Sequence, residues 1–284
     1  MVRKILKSLK KITLGILICT IIPSCSFIGE LWYKNLDNYL ANYFFEYANF
    51  SGDQKKYINE ATKKYAVWHK KNELPKYKKN LFKLKNSNIY NDLATIEDTY
   101  ENFYKLFKDS NNFFTPFFTE FSVNLTDSQV NEIKKHFSKI NEENKKKYQN
   151  TSFNQYIKEL KINTVKGFKR LGIYLTEEQK NNVFLRIDKI NDNRERYISN
   201  QKRWNEGLID ILSERQKEFF KILLMKHIDI ADNEDDVGNG YEDNKKKWLL
   251  IIKAVMGSLN KNQKQNFDRE IDRYIELING ISQD

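Results

Sequence analysis

Apolar side chains recur at intervals of three and four residues from Trp32 to Ile278, and this spacing constrains the fold more than any other feature of the sequence. A stripe of this kind lies on one face of a helix, which then packs lengthwise on a partner. The clearest stripe steps by three, four, three and four residues: Leu93, Ile96, Tyr100, Phe103, Phe107. No stretch alternates with a period of two for long enough to favour a strand. The sequence therefore predicts an all-α multi-helix bundle of roughly eight to ten amphipathic helices.

Prolines interrupt helices because they lack a backbone N–H and their ring clashes with the preceding turn. After residue 24 the chain holds only two of them, Pro75 and Pro116. The stripe that begins at Tyr57 is therefore expected to end near Leu74 and Pro75, and Pro116 is expected to mark a kink or a boundary.

Residues 1–24 form a segment of their own, basic at its start and apolar afterwards. The apolar run, Ile12–Ile22, is about half as long as the roughly 20 residues that span a hydrocarbon core. The segment therefore predicts a cleaved signal peptide, with an uncleaved N-terminal membrane helix as the alternative. Its positive end consists of five bases with no acid: Arg3, Lys4, Lys7, Lys10, Lys11.

The sequence Ile22-Pro23-Ser24-Cys25 resembles the lipobox of bacterial lipoproteins, in which an aliphatic residue and two small ones precede a cysteine. The resemblance implies alkylation of the Cys25 thiol by a diacylglyceryl group, cleavage before Cys25 and acylation of the new amino terminus, in the manner of palmitate-bearing lipoproteins. Cys19 is the rival position, but the bulky Ile18 occupies the site where a small residue is required.

Several acyl chains on one cysteine exceed the single chain that binds membranes only marginally, so the anchor is expected to be stable. Ser26, rather than an aspartate, follows the cysteine. By the sorting rule of Gram-negative lipoproteins this implies the outer membrane, with the protein facing the periplasm. Residues 25–30 are then a lipidated tether, and residues 31–284 are the helical body. A polar run over Asn144–Thr151 suggests a hinge between two sub-bundles, about 31–148 and 149–284.

The charge of the mature chain gives little reason to expect a nucleic-acid partner. Five of the 49 lysines and arginines lie in residues 1–24, which leaves 44 bases against 38 acids. An excess of six over the remaining 260 residues is small, and the periplasm offers no nucleic acid. Once Cys25 is acylated and Cys19 is removed, no thiol remains for a disulfide, so the fold must depend on its core alone.

Five copies of one local pattern follow the chain: an apolar residue, a hydroxyl or amide residue, two variable residues and a glutamine. This is the pattern of a capping box, in which the cap oxygen accepts from the N3 backbone N–H and the N3 glutamine bonds the N–H of the cap. Uneven spacing excludes a solenoid, so the simplest interpretation is five independently capped helices. The cap and glutamine pairs are Thr126 and Gln129, Thr176 and Gln179, Ser213 and Gln216, and the looser Ser51 and Gln54, Asn260 and Gln263.

The same pattern resembles the LTxxQ motif of small periplasmic chaperones of the spheroplast-protein type. Those chaperones are all-helical and bind unfolded clients on a concave surface, so the resemblance implies a holdase as an alternative function. The phenylalanine-rich segment Phe113–Phe121 would then supply an apolar surface.

A second resemblance covers nearly the whole mature chain. Trp32–Asp37, together with the string Trp68-His69-Lys70-Lys71-Asn72-Glu73-Leu74-Pro75, resembles an uncharacterised family of proteobacterial lipoproteins, domain of unknown function 6279. The residues Trp68, His69, Glu73, Leu74 and Pro75 carry the likeness, and repeated helix starts with a glycine shortly before one of them, like Gly172, add to it. The resemblance implies an all-helical lipoprotein with no attached activity.

The sequence offers no catalytic motif, no phosphate loop and no metal-ligand spacing around its three histidines, His69, His136 and His227. His69 is most simply a helix-end histidine that donates to a carbonyl or to Glu73. A cell-wall enzyme or enzyme accessory using those two residues is the less favoured alternative. The acidic run Asp229–Asp243 does not fit a calcium loop, because its glycine and glutamate positions hold Val237 and Asp243.

The densest basic stretch, Lys55–Lys85, could face lipid head groups or peptidoglycan carboxylates, although a solvated helix face is simpler. Taken together, the sequence predicts a non-catalytic binding or scaffolding lipoprotein without cofactor or metal. Its expected partners are the membrane, through the acyl chains on Cys25, and envelope proteins or peptidoglycan.

Overall fold

The computed structural model describes residues 26–86, 92–230 and 239–283. Within these ranges the regular structure is helical and includes no strand, which confirms the predicted all-α class. The elements in chain order are α1 Ser26–Lys34, α2 Leu36–Phe45, α3 Gly52–Trp68, a π turn His69–Glu73, α4 Leu74–Asn86, α5 Leu93–Ser122, α6 Asp127–Gln149, α7 Phe153–Arg170, α8 Glu177–Ile187, α9 Arg194–Ser213, α10 Phe220–Ile230, α11 Asn239–Gly257 and α12 Lys261–Gln283.

Three of the sequence predictions fall wholly or partly outside these ranges. The predicted signal peptide, the lipidation site Cys25 and the acidic residues 231–238 lie outside the described part of the chain. Where the description begins, at Ser26, the chain is already helical, so residues 26–30 of the expected tether belong to α1.

The capping-box pattern marks helix starts at four of its five copies. The boxes at Ser51, Thr126 and Thr176 have both reciprocal hydrogen bonds, and so does the one at Asn260. A further box, which the sequence pattern did not indicate, opens α7 at Ser152 with Gln155. It shares the cap and glutamine of the pattern but lacks an apolar residue before the cap.

The predicted helix start at Ser213 and Gln216 is wrong. Ser213 is the last residue of α9, where its hydroxyl donates to the carbonyl of Ile209, and α10 begins only at Phe220. Leu212, the apolar residue of this copy, is fully buried at the end of α9. Burial of Leu212 therefore keeps α9 helical as far as Ser213, the residue at which the pattern predicted the start of a new helix.

Two hydrophobic cores hold the molecule together. Core A is formed around Ile58 of α3, Val130 of α6, Leu212 of α9 and Leu224 of α10. Core B contains buried side chains from α4, α5, α7, α8, α11 and α12 and from the loop between α7 and α8. Its fully buried members include Ile173 in that loop and Val183, Ile187, Ile251 and Ile271 in the helices. The apolar residue of each confirmed box lies in one of these cores: Phe50 and Leu125 in core A, Leu175 and Leu259 in core B.

The cores do not coincide with the two halves of the sequence. Core A draws on chain segments at 41–58, 125–137 and 208–224, whereas core B draws on 74–106, 157–190 and 248–281. Each core contains segments from both sides of the boundary predicted near residues 148 and 149, and that boundary stays a prediction. The chain passes between the cores several times, because long helices such as α5 contribute to both.

Helix α5 continues through Pro116 to Ser122, so this proline is inside a helix of 30 residues and not at a boundary. Helix α1 packs against α12 and α2. Gly29 is buried there, and a Cβ at this position would lie 2.9 Å from the side chain of Leu277, which explains why a glycine fits. None of the helices in the described ranges is both long enough and apolar enough to cross a bilayer.

Candidate functional site

The string Trp68–Pro75, which carries the resemblance to the family, lies where one continuous helical segment passes from core A to core B. Helix α3 places Ile58 in core A, and α4 places Leu74 and Leu81 in core B. The π turn His69–Glu73 joins the two helices without a break. Clefts and functional sites often lie between packed units, and π turns often mark them, so this junction is the candidate site.

The π turn explains why the expected helix end near Pro75 is absent. In an α-helix Pro75 would leave a carbonyl without its donor and would press its ring on the turn before it. Here Leu74 donates its N–H five residues back, to the carbonyl of His69. The wider turn accommodates the proline, and the helix continues to Asn86.

His69 is held by an aromatic partner from the N-terminal helix. Its Nδ1 lies 2.9 Å from the hydroxyl of Tyr33 in α1, and its ring is also close to Tyr65 and Tyr77. Burial lowers the pKa of His69 to about 4, so the ring is neutral near pH 7. The sequence predicted a carbonyl or Glu73 as the hydrogen-bond partner of His69, whereas the structure shows Tyr33.

Glu73 is fully buried and pairs with a lysine one turn later. Its Oε1 accepts from Nζ of Lys76 at 2.7 Å, and the same ammonium reaches Asp109 of α5 at 3.0 Å. Oε2 of Glu73 has no hydrogen-bond partner among the protein groups described.

Three tyrosines surround the junction and are unsuited to proton transfer near neutral pH. Burial raises the pKa values of Tyr33, Tyr65 and Tyr77. The nearby Glu73 further raises the pKa values of Tyr65 and Tyr77. Tyr65 also donates to the hydroxyl of Ser110 at 3.0 Å. The cluster is therefore a set of neutral rings in contact with one another, beside one buried carboxylate.

Each residue of the string has a separate packing role. Trp68 lies 4.9 Å from Phe113, ring centroid to centroid, and Leu74 is buried in core B, whereas Pro75 is exposed. His69 and Glu73 bond to different partners, Tyr33 and Lys76. The two side chains that a catalytic pair would require are thus committed to separate contacts.

The helix-start glutamines are brought together in pairs, which the sequence did not predict. In core A the amides of Gln54 and Gln129 bond each other in both directions, at 3.0 and 2.6 Å. In core B Gln179 and Gln263 do the same, at 3.2 and 2.8 Å. The boxes are therefore coupled across the fold and are not independent caps.

Each glutamine also reaches the backbone in front of the other box. Gln54 donates to the carbonyl of Asn124 and Gln129 to that of Asn49, both at 3.1 Å. In core B, Gln179 donates to the carbonyl of Ser258 and Gln263 donates to that of Tyr174. Because the contacts are reciprocal, each pair has local two-fold symmetry. Every donor and acceptor of the four amides is satisfied by this arrangement.

Arg215, at a variable position of the rejected fifth copy, has a role that the pattern did not signal. The side chain is buried, and its guanidinium donates to the carbonyls of Leu125 and Leu212 and to the carboxylate of Asp127. It thus ties the end of α9 to the start of α6. A single buried arginine is visible in a sequence only as a charge, so nothing in the pattern identified it.

The phenylalanine-rich segment Phe113–Phe121 does not form an open apolar surface. Its phenylalanines are partly buried against other rings: Phe114 lies 4.6 Å from Tyr65, and Phe121 lies 5.4 Å from Phe50. In the basic stretch Lys55–Lys85, three lysines form ion pairs, including Lys85 with Asp272 at 2.7 Å. Among the described residues no cluster of histidine, cysteine, aspartate or glutamate has the make-up of a metal site.

Helix α10 and the residue before it carry the most concentrated exposed apolar side chains. Phe219, Ile222, Leu223 and Met225 are between 46 and 64 % exposed and lie within two turns of helix. We call these four residues the α10 strip. Exposed apolar residues that occur singly are normal, but a group of this size is typical of an interaction surface.

Comparisons with known proteins support one assignment. No curated protein matches the chain, and no solved structure matches it. One family model does match: a family of unknown function, DUF6279, over residues 46–231. This range includes the string Trp68–Pro75 and three of the four confirmed boxes. Since the match covers more than half of the 284 residues, the chain belongs to the family of unknown function DUF6279.

Proposed function

We propose that this protein is a lipid-anchored, non-catalytic binding or scaffolding protein of the bacterial envelope, held on the outer membrane and facing the periplasm. The observation that carries the proposal is the junction between the lipobox and the fold. Helix α1 begins at Ser26, directly after Cys25, and packs on α12 and α2. An acyl group on Cys25 would therefore be attached to the folded body itself.

Anchoring is tested by labelling growing cells with an alkyne analogue of palmitate. The chain supplies its own matched control, since the leader holds a second cysteine. We expect the natural protein and Cys19→Ser to incorporate the label and to sediment with outer membranes. Cys25→Ser should lose both properties. Equal labelling of Cys25→Ser and the natural protein would contradict the proposal.

The non-catalytic part of the proposal is supported by the chemistry of the candidate site. A histidine with a pKa of about 4 is a weak base near neutral pH, and tyrosines with raised pKa values remain protonated. The rings of the site pack on one another, and His69 also bonds Tyr33, as expected of a structural junction. An enzymatic role for His69 and Glu73 would require both side chains to leave these partners.

The binding part is supported by the α10 strip. A photocrosslinking amino acid at Ile222 should capture an envelope partner in living cells, whereas the same group at Leu185 should not. Leu185 is equally exposed, at 67 %, but the residues three and four positions away, Asn181, Asn182, Asp188 and Lys189, are polar. Equal capture from both positions would contradict a binding role for the strip.

The holdase alternative predicts a different outcome of the same experiment. A chaperone-like protein would capture many unfolded envelope proteins from Ile222, and the capture would increase when outer-membrane assembly is blocked. A scaffolding protein would capture one or a few partners at a constant level. The glutamine boxes do not favour the holdase, since their amides are used within the fold.

A further inference from the structure

The N-terminal helices form a surface whose composition differs from that of the rest of the chain. Residues 26–45 contain only three charged side chains, Glu30, Lys34 and Asp37, whereas 31 % of the whole chain is charged. Seven of the twenty are aromatic. The exposed polar residues on this segment include the uncharged Asn35, Asn38 and Asn42.

Two large apolar side chains on the described part of this segment are exposed, and several others are partly buried. Leu31 is 46 % exposed and Tyr39 is 37 % exposed. Trp32, which is partly buried, stacks on Tyr39 with ring centroids 5.8 Å apart and planes 15° from parallel. We call Leu31, Trp32 and Tyr39 the anchor patch. Tryptophan and tyrosine are the residues enriched where protein meets the membrane–water interface.

The geometry of α1 fixes the patch close to the anchoring residue. The helix rises about 1.5 Å per residue, so Leu31 lies roughly 8 Å along the axis from Ser26. Ser26 is bonded to Cys25 and belongs to α1, which is docked on α12. Interfacial helices bury their apolar faces about 5–10 Å into the boundary between head groups and acyl chains. An acylated Cys25 would bring α1, and with it the anchor patch, to the membrane surface.

We infer that the anchor patch inserts into the phospholipid interface beside the acyl anchor and gives the body a fixed orientation on the membrane. This inference rests on the proposed lipid anchor, since Cys25 is what brings the surface to the bilayer. The low charge of residues 26–45 fits the interface, because each charged group carried to that depth would lose hydration. The patch adds a second, non-covalent contact to the covalent one.

The test uses the full-length protein, processed and acylated in cells, purified and reconstituted into phosphatidylethanolamine–phosphatidylglycerol vesicles. A single environment-sensitive fluorophore is attached to Leu31→Cys, to Tyr39→Cys or to the control Leu185→Cys. Leu185 is exposed on α8, which packs on α7 and α11. Acylation blocks Cys25, and Cys19 is lost with the leader, so only the introduced thiol reacts.

We expect lipid-borne nitroxide to quench the fluorophore at positions 31 and 39 several-fold more than at position 185, and aqueous iodide to give the opposite order. Equal quenching at all three positions, in protein that floats with the vesicles, would overturn the inference while leaving the anchor intact. Failure of the unsubstituted protein to float with vesicles would overturn the proposed anchor and the inference together.

Discussion

The side-chain amides of Gln179 and Gln263, which are 84 residues apart, donate to and accept from each other in the interior of core B. Each amide oxygen also accepts the N–H of its own helix cap, and each amide nitrogen reaches the backbone before the other helix. A local motif thus becomes a long-range contact. The four boxes that are paired in this way orient α3 against α6 and α8 against α12.

This pairing predicts that glutamines in the same capping-box pattern contribute differently to the free energy of unfolding. Gln179→Ala should lower the free energy of unfolding by about 2–3 kcal/mol, because it leaves the cap N–H and the amide of Gln263 without partners in the interior. Gln155→Ala should cost only about 0.5–1 kcal/mol, because Gln155 is exposed and caps its helix alone. Urea denaturation of the two variants measures both values.

The pairing itself is tested by a double-mutant cycle on Gln179 and Gln263. Since the two amides bond to each other, Gln179→Ala and Gln263→Ala together should cost clearly less than the sum of the single changes. Strict additivity of the two single changes would contradict a direct coupling between the boxes.

The buried carboxylate at the π turn predicts an asymmetric pair of substitutions. Lys76→Met should destabilise the fold by about 3 kcal/mol, because it leaves the fully buried Glu73 without its cation. Glu73→Gln should cost less, about 1–2 kcal/mol, because Lys76 is 48 % exposed and keeps Asp109 and water as partners, which leaves only the cost of the buried amide N–H groups. Equal destabilisation by the two substitutions, measured by thermal unfolding, would contradict this account of the pair.

Gly172 closes α7 in a left-handed conformation, with φ +74°. The N–H of Ile173 bonds the carbonyl of Phe168 and that of Gly172 bonds Lys169, which is the Schellman arrangement. A Cβ here would also lie 2.6 Å from the carbonyl oxygen of Asn266. Gly172→Ala should therefore cost about 2–3 kcal/mol.

Gly52 supplies the matched control for that substitution. It is the first residue of α3, and a Cβ there would meet nothing within 4 Å. Gly52→Ala should leave stability unchanged or raise it by up to about 1 kcal/mol, because it only restricts the unfolded chain. A similar loss for both alanine variants in chemical denaturation would count against the conformational argument at Gly172.

The lowered pKa of His69 predicts a specific dependence of stability on pH. The unfolded chain takes up a proton on this ring near pH 6.5, whereas the folded protein resists protonation until about pH 4 because the ring is buried. The contribution of the neutral His69 ring to the free energy of unfolding is thus fully present above about pH 6.5, and it is lost as the pH falls towards 4. The loss attributable to this residue is on the order of 3 kcal/mol.

His69→Gln removes the titrating group while keeping a polar side chain for Tyr33. The difference in unfolding free energy between pH 7 and pH 4.5 should be smaller in this variant than in the natural protein. Carboxylates that also destabilise the fold in acid, such as Asp192 beside Arg194, contribute equally to both proteins. The same pH dependence in the variant and the natural protein would contradict the assignment to His69.

The features that the sequence predicted correctly are those set by local chemistry. Apolar spacing identified the helices, and the cap and glutamine positions identified four helix starts. The pairing of the boxes could not be predicted, because no local pattern says which two caps, 75 or 84 residues apart, will meet. The same holds for Arg215, whose partners lie on α6 and at the end of α9.

Two errors arose where packing overrides a local signal. Ser213 has the form of a helix cap, but Leu212 is fully buried in core A and keeps α9 helical to that point. Pro75 has the form of a helix stop, but a π turn absorbs it because both α3 and α4 are held in cores. In both cases the long-range apolar contacts stabilise a backbone that the local residues alone would disfavour.

The claim on which the proposed function depends is that a processed, acylated Cys25 holds this helical body on a membrane. Intact-mass and N-terminal peptide spectrometry of the protein extracted from cell envelopes measures it directly. We expect a chain that begins at Cys25 and carries the mass of a diacylglyceryl group and an amide-linked acyl chain. A chain that begins at Met1, or an unmodified Cys25, would contradict it.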